Sequence, residues 1–211
     1  MSLPQINPGE RAIVAGRTGS GKSTLVNFLV KRSPGQWVIL NPKHTKAYSA
    51  LPGSVTMHGF NLKKMEKLLL KDGVRFVIIN PDKHQANMET MDLFISYMHD
   101  TYENVGIVCD ELYTLHKNGI PGDGLVGWLT RGRELKQSFI GLTQRPAWIS
   151  KFLMSESDYI GCMSLVLEDD RKTMYKNTGQ EKMLNMLPER EWLWYTVKRN
   201  QLRHLGAVPL R

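Results

Sequence analysis

Residues 12–24 read Ala-Ile-Val-Ala-Gly-Arg-Thr-Gly-Ser-Gly-Lys-Ser-Thr, an apolar run that passes into a glycine loop ending on Gly21-Lys22-Ser23. Such a strand must feed a crossover helix, which commits the chain to a parallel sheet with helices packed on it. The spacing from Gly16 to Gly21-Lys22-Ser23 is that of a phosphate-cradling P-loop. Gly16, Gly19 and Gly21 let successive backbone N–H groups turn toward one anion. The loop residues Arg17, Thr18 and Ser20 lie between them, and Thr24 opens the helix whose positive end faces the phosphates. Lys22 supplies a point charge for the β- and γ-phosphates, and the Ser23 hydroxyl is a ligand for Mg²⁺. The implied ligands are ATP and Mg²⁺.

A P-loop of this kind needs an acidic strand end beside it. Val105-Gly106-Ile107-Val108-Cys109-Asp110-Glu111 supplies one, with Asp110 suited to the metal and Glu111 to polarising an attacking water. A small-molecule kinase needs an acceptor pocket instead of a base for water, so Glu111 favours hydrolysis. Phe139-Ile140-Gly141-Leu142-Thr143-Gln144 is a third apolar run with a polar end, and Gln144 is placed to sense the γ-phosphate.

The remaining pattern alternates strand and helix. Strands are expected at Arg11–Ala15, Trp37–Asn41, Val74–Asn80, Val105–Asp110, Ser138–Thr143 and Asp158–Val166, with a hairpin of Trp192–Lys198 and Leu202–Ala207. Helices are expected at Ser23–Lys31, Leu62–Lys71 behind an Asn61 cap, Gln85–Tyr102, Leu125–Leu135, Pro146–Met154 and Glu181–Leu187. The stripe Met88, Met91, Ile95, Met98 and Tyr102 reads as core packing. Trp192 and Trp194 read as sheet packing. Residues 1–211 are expected to form one domain, with 171–211 as a basic extension of it.

Charge narrows the partners. The net charge is +8, and residues 171–211 carry nine Lys/Arg against three Asp/Glu. A basic surface suits a polyanion. The candidate DNA contacts are Lys117, in the Gly-rich stretch Lys117–Gly124, and Arg171, Lys172, Lys176, Lys198, Arg199 and Arg203. Lys43, in the turn after the second strand, reads as a solvated loop residue or a pore or interface residue. No apolar run approaches the ~20 residues of a membrane-spanning helix, and the N-terminus lacks the pattern of a signal peptide. Cys109 and Cys162 lie inside strand-like runs and read as buried thiols of a reducing compartment.

Gly-Arg-Thr-Gly-Ser-Gly-Lys-Ser-Thr, Cys-Asp-Glu, Arg-Gly-Arg-Glu-Leu-Lys-Gln and Leu-Thr-Gln-Arg-Pro together resemble the FtsK/HerA superfamily of DNA-pumping ATPases. The short chain most resembles the packaging ATPases of tailless, membrane-containing viruses with double-jelly-roll capsids. That resemblance, over about residues 8–165, implies a RecA-like (ASCE) P-loop NTPase fold, α/β, with a mainly parallel sheet. It also implies a homo-oligomeric ring, usually a hexamer, around double-stranded DNA, with capsid or packaging-vertex proteins as further partners. The setting would be host cytoplasm or virion. An arginine from the neighbouring subunit would complete each site, with Arg133 ahead of Arg131 and Arg145 third. Two features depart from the family: Gly106 interrupts the acidic strand, which should weaken packing there, and the extra modules of larger relatives are missing. A plasmid or mobile-element DNA pump, and a nucleotide-switched DNA- or capsid-binding protein without sustained turnover, are the alternatives.

Overall fold

The computed structural model describes residues 4–207. The first expected strand and its helix form as read. β1 (Arg11–Ala15) is wholly buried, and α1 (Lys22–Arg32) follows the glycine loop. Then come β2 (Gln36–Leu40), β3 (Ser54–His58), α2 (Leu62–Leu69), β4 (Phe76–Asn80), α3 (Met88–Thr101) and β5 (Val105–Cys109). A two-stranded ribbon of β6 (His116–Lys117) and β7 (Ile120–Pro121) leads into α4 (Asp123–Arg131). The chain continues through β8 (Ser138–Thr143), α5 (Lys151–Ser155), β9 (Tyr159–Cys162), α6 (Glu168–Thr178), β10 (Trp192–Thr196) and β11 (Gln201–Leu205).

Nine of these strands, among the described residues, make one sheet in the order β11-β10-β9-β1-β8-β5-β2-β4-β3. β9 through β3 run parallel, while β10 and β11 close one edge as an antiparallel hairpin. Parallel strands buried on both faces read as continuous apolar runs, as β1, β5 and β8 do. Period 2 splits each strand between two cores. Ile13 and Ala15 face Met91, Ile95, Met98 and Trp128, whereas Ala12 and Val14 face Leu25, Leu29 and Trp194. No helix among the described residues is long and apolar enough to cross a membrane.

The order has one functional consequence. β8 lies between β1 and β5, so the ends of the P-loop strand, of the Gln144 strand and of the Asp110 strand are adjacent. Ligands of open α/β sheets bind outside the carboxyl ends of such strands.

Several local expectations change. β3 forms the edge of the sheet in a segment to which no strand was assigned from sequence. Residues 171–178 belong to α6, whose first turn is Glu168, Asp169 and Asp170, so the basic extension begins inside an acid-started helix. Its last residues, 208–211, lie outside the described residues. The segment from Pro146 divides into a single turn at Pro146–Trp148 and the short α5, because the Ser150 hydroxyl caps a new start at the Phe152 N–H. The last expected helix is one turn, Glu181–Leu184.

The glycine-rich stretch is not an open hinge. Asn118 and Gly119 hold the left-handed pair (φ 53° and 78°) of a tight hairpin turn. Gly122 and Gly124 let the start of α4 press on Asp92, whose carboxylate accepts the N–H groups of Gly124 and Leu125 at 2.9 Å each.

Gly106 corrects the expectation of weak packing. A Cβ there would lie 2.4 Å from Trp37, whose ring is 1% exposed. The glycine makes room for a large buried ring on β2, so the packing is dense. Gly106→Ala is expected to destabilise the fold by about 1–3 kcal/mol through overpacking. Chemical denaturation measures this; an unchanged midpoint would mean that Trp37 can move aside.

Candidate nucleotide site

The site is built from four strand ends. After β1, Gly19 (φ 77°) and Gly21 (φ 100°) take backbone conformations that favour glycine, and the chain enters α1 at Lys22. The Lys22 ammonium folds back on the loop, donating to the carbonyls of Gly16 (2.7 Å) and Arg17 (2.9 Å). The loop is also tied to the sheet, through Gly16 N–H to Thr143 O (3.1 Å) and Arg17 N–H to Ser164 O (2.8 Å).

Asp110 and Glu111, expected from the acidic strand end, are both buried just past β5. Gln144, past β8, bridges the two halves of the site. Its amide Nε2 donates to Glu111 Oε2 (3.3 Å), and its Oε1 accepts the Thr18 hydroxyl (2.5 Å). A γ-phosphate sensor and a base for water would need this proximity.

Three residues of the site were not expected from sequence. Lys43 is no plain solvated loop residue, because its ammonium pairs with the Glu111 carboxylate. Thr45 donates its hydroxyl to Asp110 Oδ2 at 3.1 Å. The Tyr48 hydroxyl is buried without a hydrogen-bond partner, beside Ser23 and Asp110. All three follow β2, and the reason is strand order: β2 neighbours β5, so its carboxyl end lies next to Asp110. The one local signal was Asn41-Pro42-Lys43-His44, which closes the second strand near the nucleotide edge; that it meets Asp110 and Glu111 follows from the strand order.

The Asp110 carboxylate with the hydroxyls of Ser23, Thr45 and Tyr48 forms an all-oxygen surround, with an orphaned buried oxygen among them. That chemistry fits a hard divalent cation held jointly with phosphates, as Mg²⁺ is, better than a cation caged by protein alone. Among the described residues no cluster of three His, Cys, Asp or Glu offers such a cage.

Electrostatics follow from burial. Desolvation, then the nearby Lys43 charge, pushes the Lys22 ammonium down to about 8, against the pull of Asp110. Burial raises the Asp110 carboxyl, opposed first by the Thr45 hydrogen bond and then by Lys43. A bound triphosphate restores Lys22 to the charged state, so above pH about 8 nucleotide binding should take up a proton. Affinity should then fall about tenfold per pH unit. Calorimetric titration in buffers of different ionisation heat reads this directly; zero proton uptake at pH 9 would exclude Lys22 as the titrating group.

The three arginines separate. Arg145 borders the site, held by Asp170 at 2.9 Å and stacked over Trp148 at 4.2 Å. Arg131 is exposed in the last turn of α4. Arg133 lies at the opposite, amino-terminal edge of the sheet, where its Nη2 donates to both oxygens of Asp158 (3.0 and 3.1 Å). Neither Arg131 nor Arg133 belongs to the site of its own chain.

The candidate DNA contacts lie on three elements: the β6–β7 ribbon, α6 and the β10–β11 hairpin. Lys117 sits in the β6–β7 ribbon near Glu89 (3.8 Å). Arg171 donates to the carbonyls of Leu165 and Val166, Lys172 pairs with Glu168 four residues before it, and Lys176 is exposed on the same helix. Lys198, Arg199 and Arg203 gather with Tyr159 around a cavity of about 360 Å³. Trp192 and Trp194 are buried, as expected.

Fold and site together define a P-loop NTPase whose sheet carries an extra strand, β8, between the P-loop strand and the acidic strand. No family model matches the chain. It is a homologue of the DNA packaging ATPase P9 of Enterobacteria phage PRD1, 28% identical over 177 residues that span 82% of this chain and 72% of that one. Its fold matches the genome packaging NTPase B204 of Sulfolobus turreted icosahedral virus 2, solved with AMPPCP (TM-score 0.74, 18% identity, 96% of this chain and 100% of that one). VirB4 of Thermoanaerobacter pseudethanolicus shares the fold as well (TM-score 0.70, 12% identity, 95% and 89%). These similarities agree with the FtsK/HerA-type resemblance of the motifs.

Proposed function

We propose that this chain hydrolyses ATP to drive double-stranded DNA into a preformed viral capsid. The observation that carries the reading is the meeting of Lys22, Asp110, Glu111 and Gln144 at adjacent strand ends, in a homologue of a DNA packaging ATPase. In this reading Gly16–Thr24 cradle the phosphates and Lys22 neutralises their charge. Ser23 and Asp110 would hold Mg²⁺, which supplies further charge neutralisation on the phosphoryl oxygens. Glu111 takes the proton of the attacking water, and Gln144, touching both Glu111 and Thr18, reports loss of the γ-phosphate. Lys43 holds the Glu111 carboxylate before water and nucleotide arrange themselves.

The chain acts as one domain in a ring, a hexamer by analogy, with Arg133 of one subunit reaching the site of the next. Its placement far from its own P-loop supports a role in trans. Capsid or vertex proteins complete the machine in the host cytoplasm or the virion. The test is steady-state hydrolysis with and without duplex DNA, with Lys22→Ala as the inactive control. DNA should raise the rate several-fold in the parent protein only. A rate indifferent to DNA would leave an NTPase but remove the motor.

A further inference from the structure

Lys43 stands between two environments. Its ammonium pairs with Glu111, which is 3% exposed, yet its own side chain is 42% exposed. The open side borders a cavity of about 550 Å³ lined by Pro42, Lys43, His44, Pro81, Lys83 and Ala86. This cavity lies outside the carboxyl ends of β2 and β4, on the far side of the Asp110 strand from the P-loop.

Its walls are fixed and its cations are not. Asn41 donates its N–H to Ile79 O (2.9 Å) and its side-chain amide to Asn80 Oδ1 (2.8 Å), and the His44 ring donates to the Pro81 carbonyl at 3.0 Å. These bonds lock the turn after β2 to the turn after β4. Lys43 and Lys83 rise from the two turns on flexible stems, and both are exposed. None of the lining residues is acidic; the nearby Asp82 turns toward Gly59, 3.3 Å from where a Cβ on that glycine would stand. An open cavity with a lysine on each wall and no carboxylate suits anionic oxygens.

We infer that this cavity takes a phosphate of the DNA backbone, and that Lys43 swings from Glu111 to that phosphate when DNA arrives. The inference rests on the DNA motor reading above and adds where the backbone touches the chain and how that contact controls the base. A carboxylate bonded to an ammonium accepts a proton less readily than a free one. Without DNA, Lys43 holds Glu111 back from the water. A backbone phosphate beside Lys83 offers the same ammonium a second anion, and the four-carbon stem of lysine carries it there without moving the turn. Glu111 then keeps its bond from Gln144 (3.3 Å) and is free to take the proton of the water. Free inorganic phosphate has the same chemistry, but a polyanion is the stronger partner for a chain of net charge +8.

The experiment follows steady-state hydrolysis by the full chain against duplex DNA and salt concentration. Lys43→Met should raise the DNA-free rate several-fold and remove most of the further rise with DNA. Lys83→Ala, outside the catalytic groups, should leave the DNA-free rate unchanged and raise the DNA concentration that half-stimulates. It should also lower the salt slope of that concentration by about 1. Inorganic phosphate in place of DNA should leave the parent rate unchanged. Melting temperature and ATP affinity check both variants, and the exposed Lys83 carries the test should Lys43→Met unfold the chain. A folded Lys43→Met protein whose DNA-free rate is at or below the parent's overturns the switch. A Lys83→Ala response to DNA identical to the parent's overturns the contact, and stimulation by inorganic phosphate equal to that by DNA overturns the choice of ligand. In each of these cases the motor reading stands as long as DNA stimulates the parent; if it does not, the motor reading falls and the inference with it.

Discussion

A Glu111→Gln protein is expected to bind ATP as the parent does and to hydrolyse it about 10²–10⁴ times more slowly. The substitution keeps the side-chain shape and its hydrogen bond with Gln144, so the site should remain assembled. It removes the group that accepts a proton from water, together with the negative charge that faces Lys43. Glu111 is 3% exposed and faced by Lys43 and Gln144, so bulk water cannot replace it freely. Single-turnover hydrolysis beside a nucleotide-binding isotherm separates the two steps. Near-normal turnover would move the role of base elsewhere, and weakened binding would mean that the carboxylate was needed for assembly.

Arg133→Ala should have a larger effect still, because an arginine supplied in trans contributes about 10³–10⁵ in rate. The structure gives this residue a second occupation. Asp158, which takes both of its hydrogen bonds, also accepts the Arg11 N–H at 3.0 Å, so removing Arg133 disturbs the amino-terminal edge of the sheet. Arg133→Lys separates the two roles. Lysine keeps a charge for Asp158 and much of the stability, yet lacks the planar fork that a transferring phosphoryl group needs. If Arg133 acts in trans, both variants lose hydrolysis, and mixing them with parent subunits lowers the rate more than dilution does. If Arg133 is structural only, Arg133→Lys restores both melting temperature and rate, and mixing dilutes without poisoning.

Parts of this molecule were plain in the chain. β1 and β8 begin and end where their apolar runs do, and Asn61 caps α2 by accepting the Lys64 N–H at 2.9 Å. Central parallel strands are apolar on both faces, and their turns carry strong punctuation, so they are legible. The failures have physical causes too. β3, Ser-Val-Thr-Met-His, has only Met57 buried, too little for a periodic signal. α6 buries only Asp170, Met174 and Thr178, so its apolar stripe is too thin to see. Gly106 looked like a defect because Trp37, 69 positions earlier, is its neighbour only across the sheet.

By itself the sequence determined the phosphate loop, the acidic strand end and the polar strand end, because each is a short run whose chemistry depends on adjacent residues. The tertiary structure decided which of them meet and what else joins them. Lys43, Thr45 and Tyr48 enter the site because β2 pairs with β5. Arg133 is carried to the far edge because α4 returns the chain to the start of β8. Strand order is set by long-range packing of apolar faces, and no local run of residues encodes it.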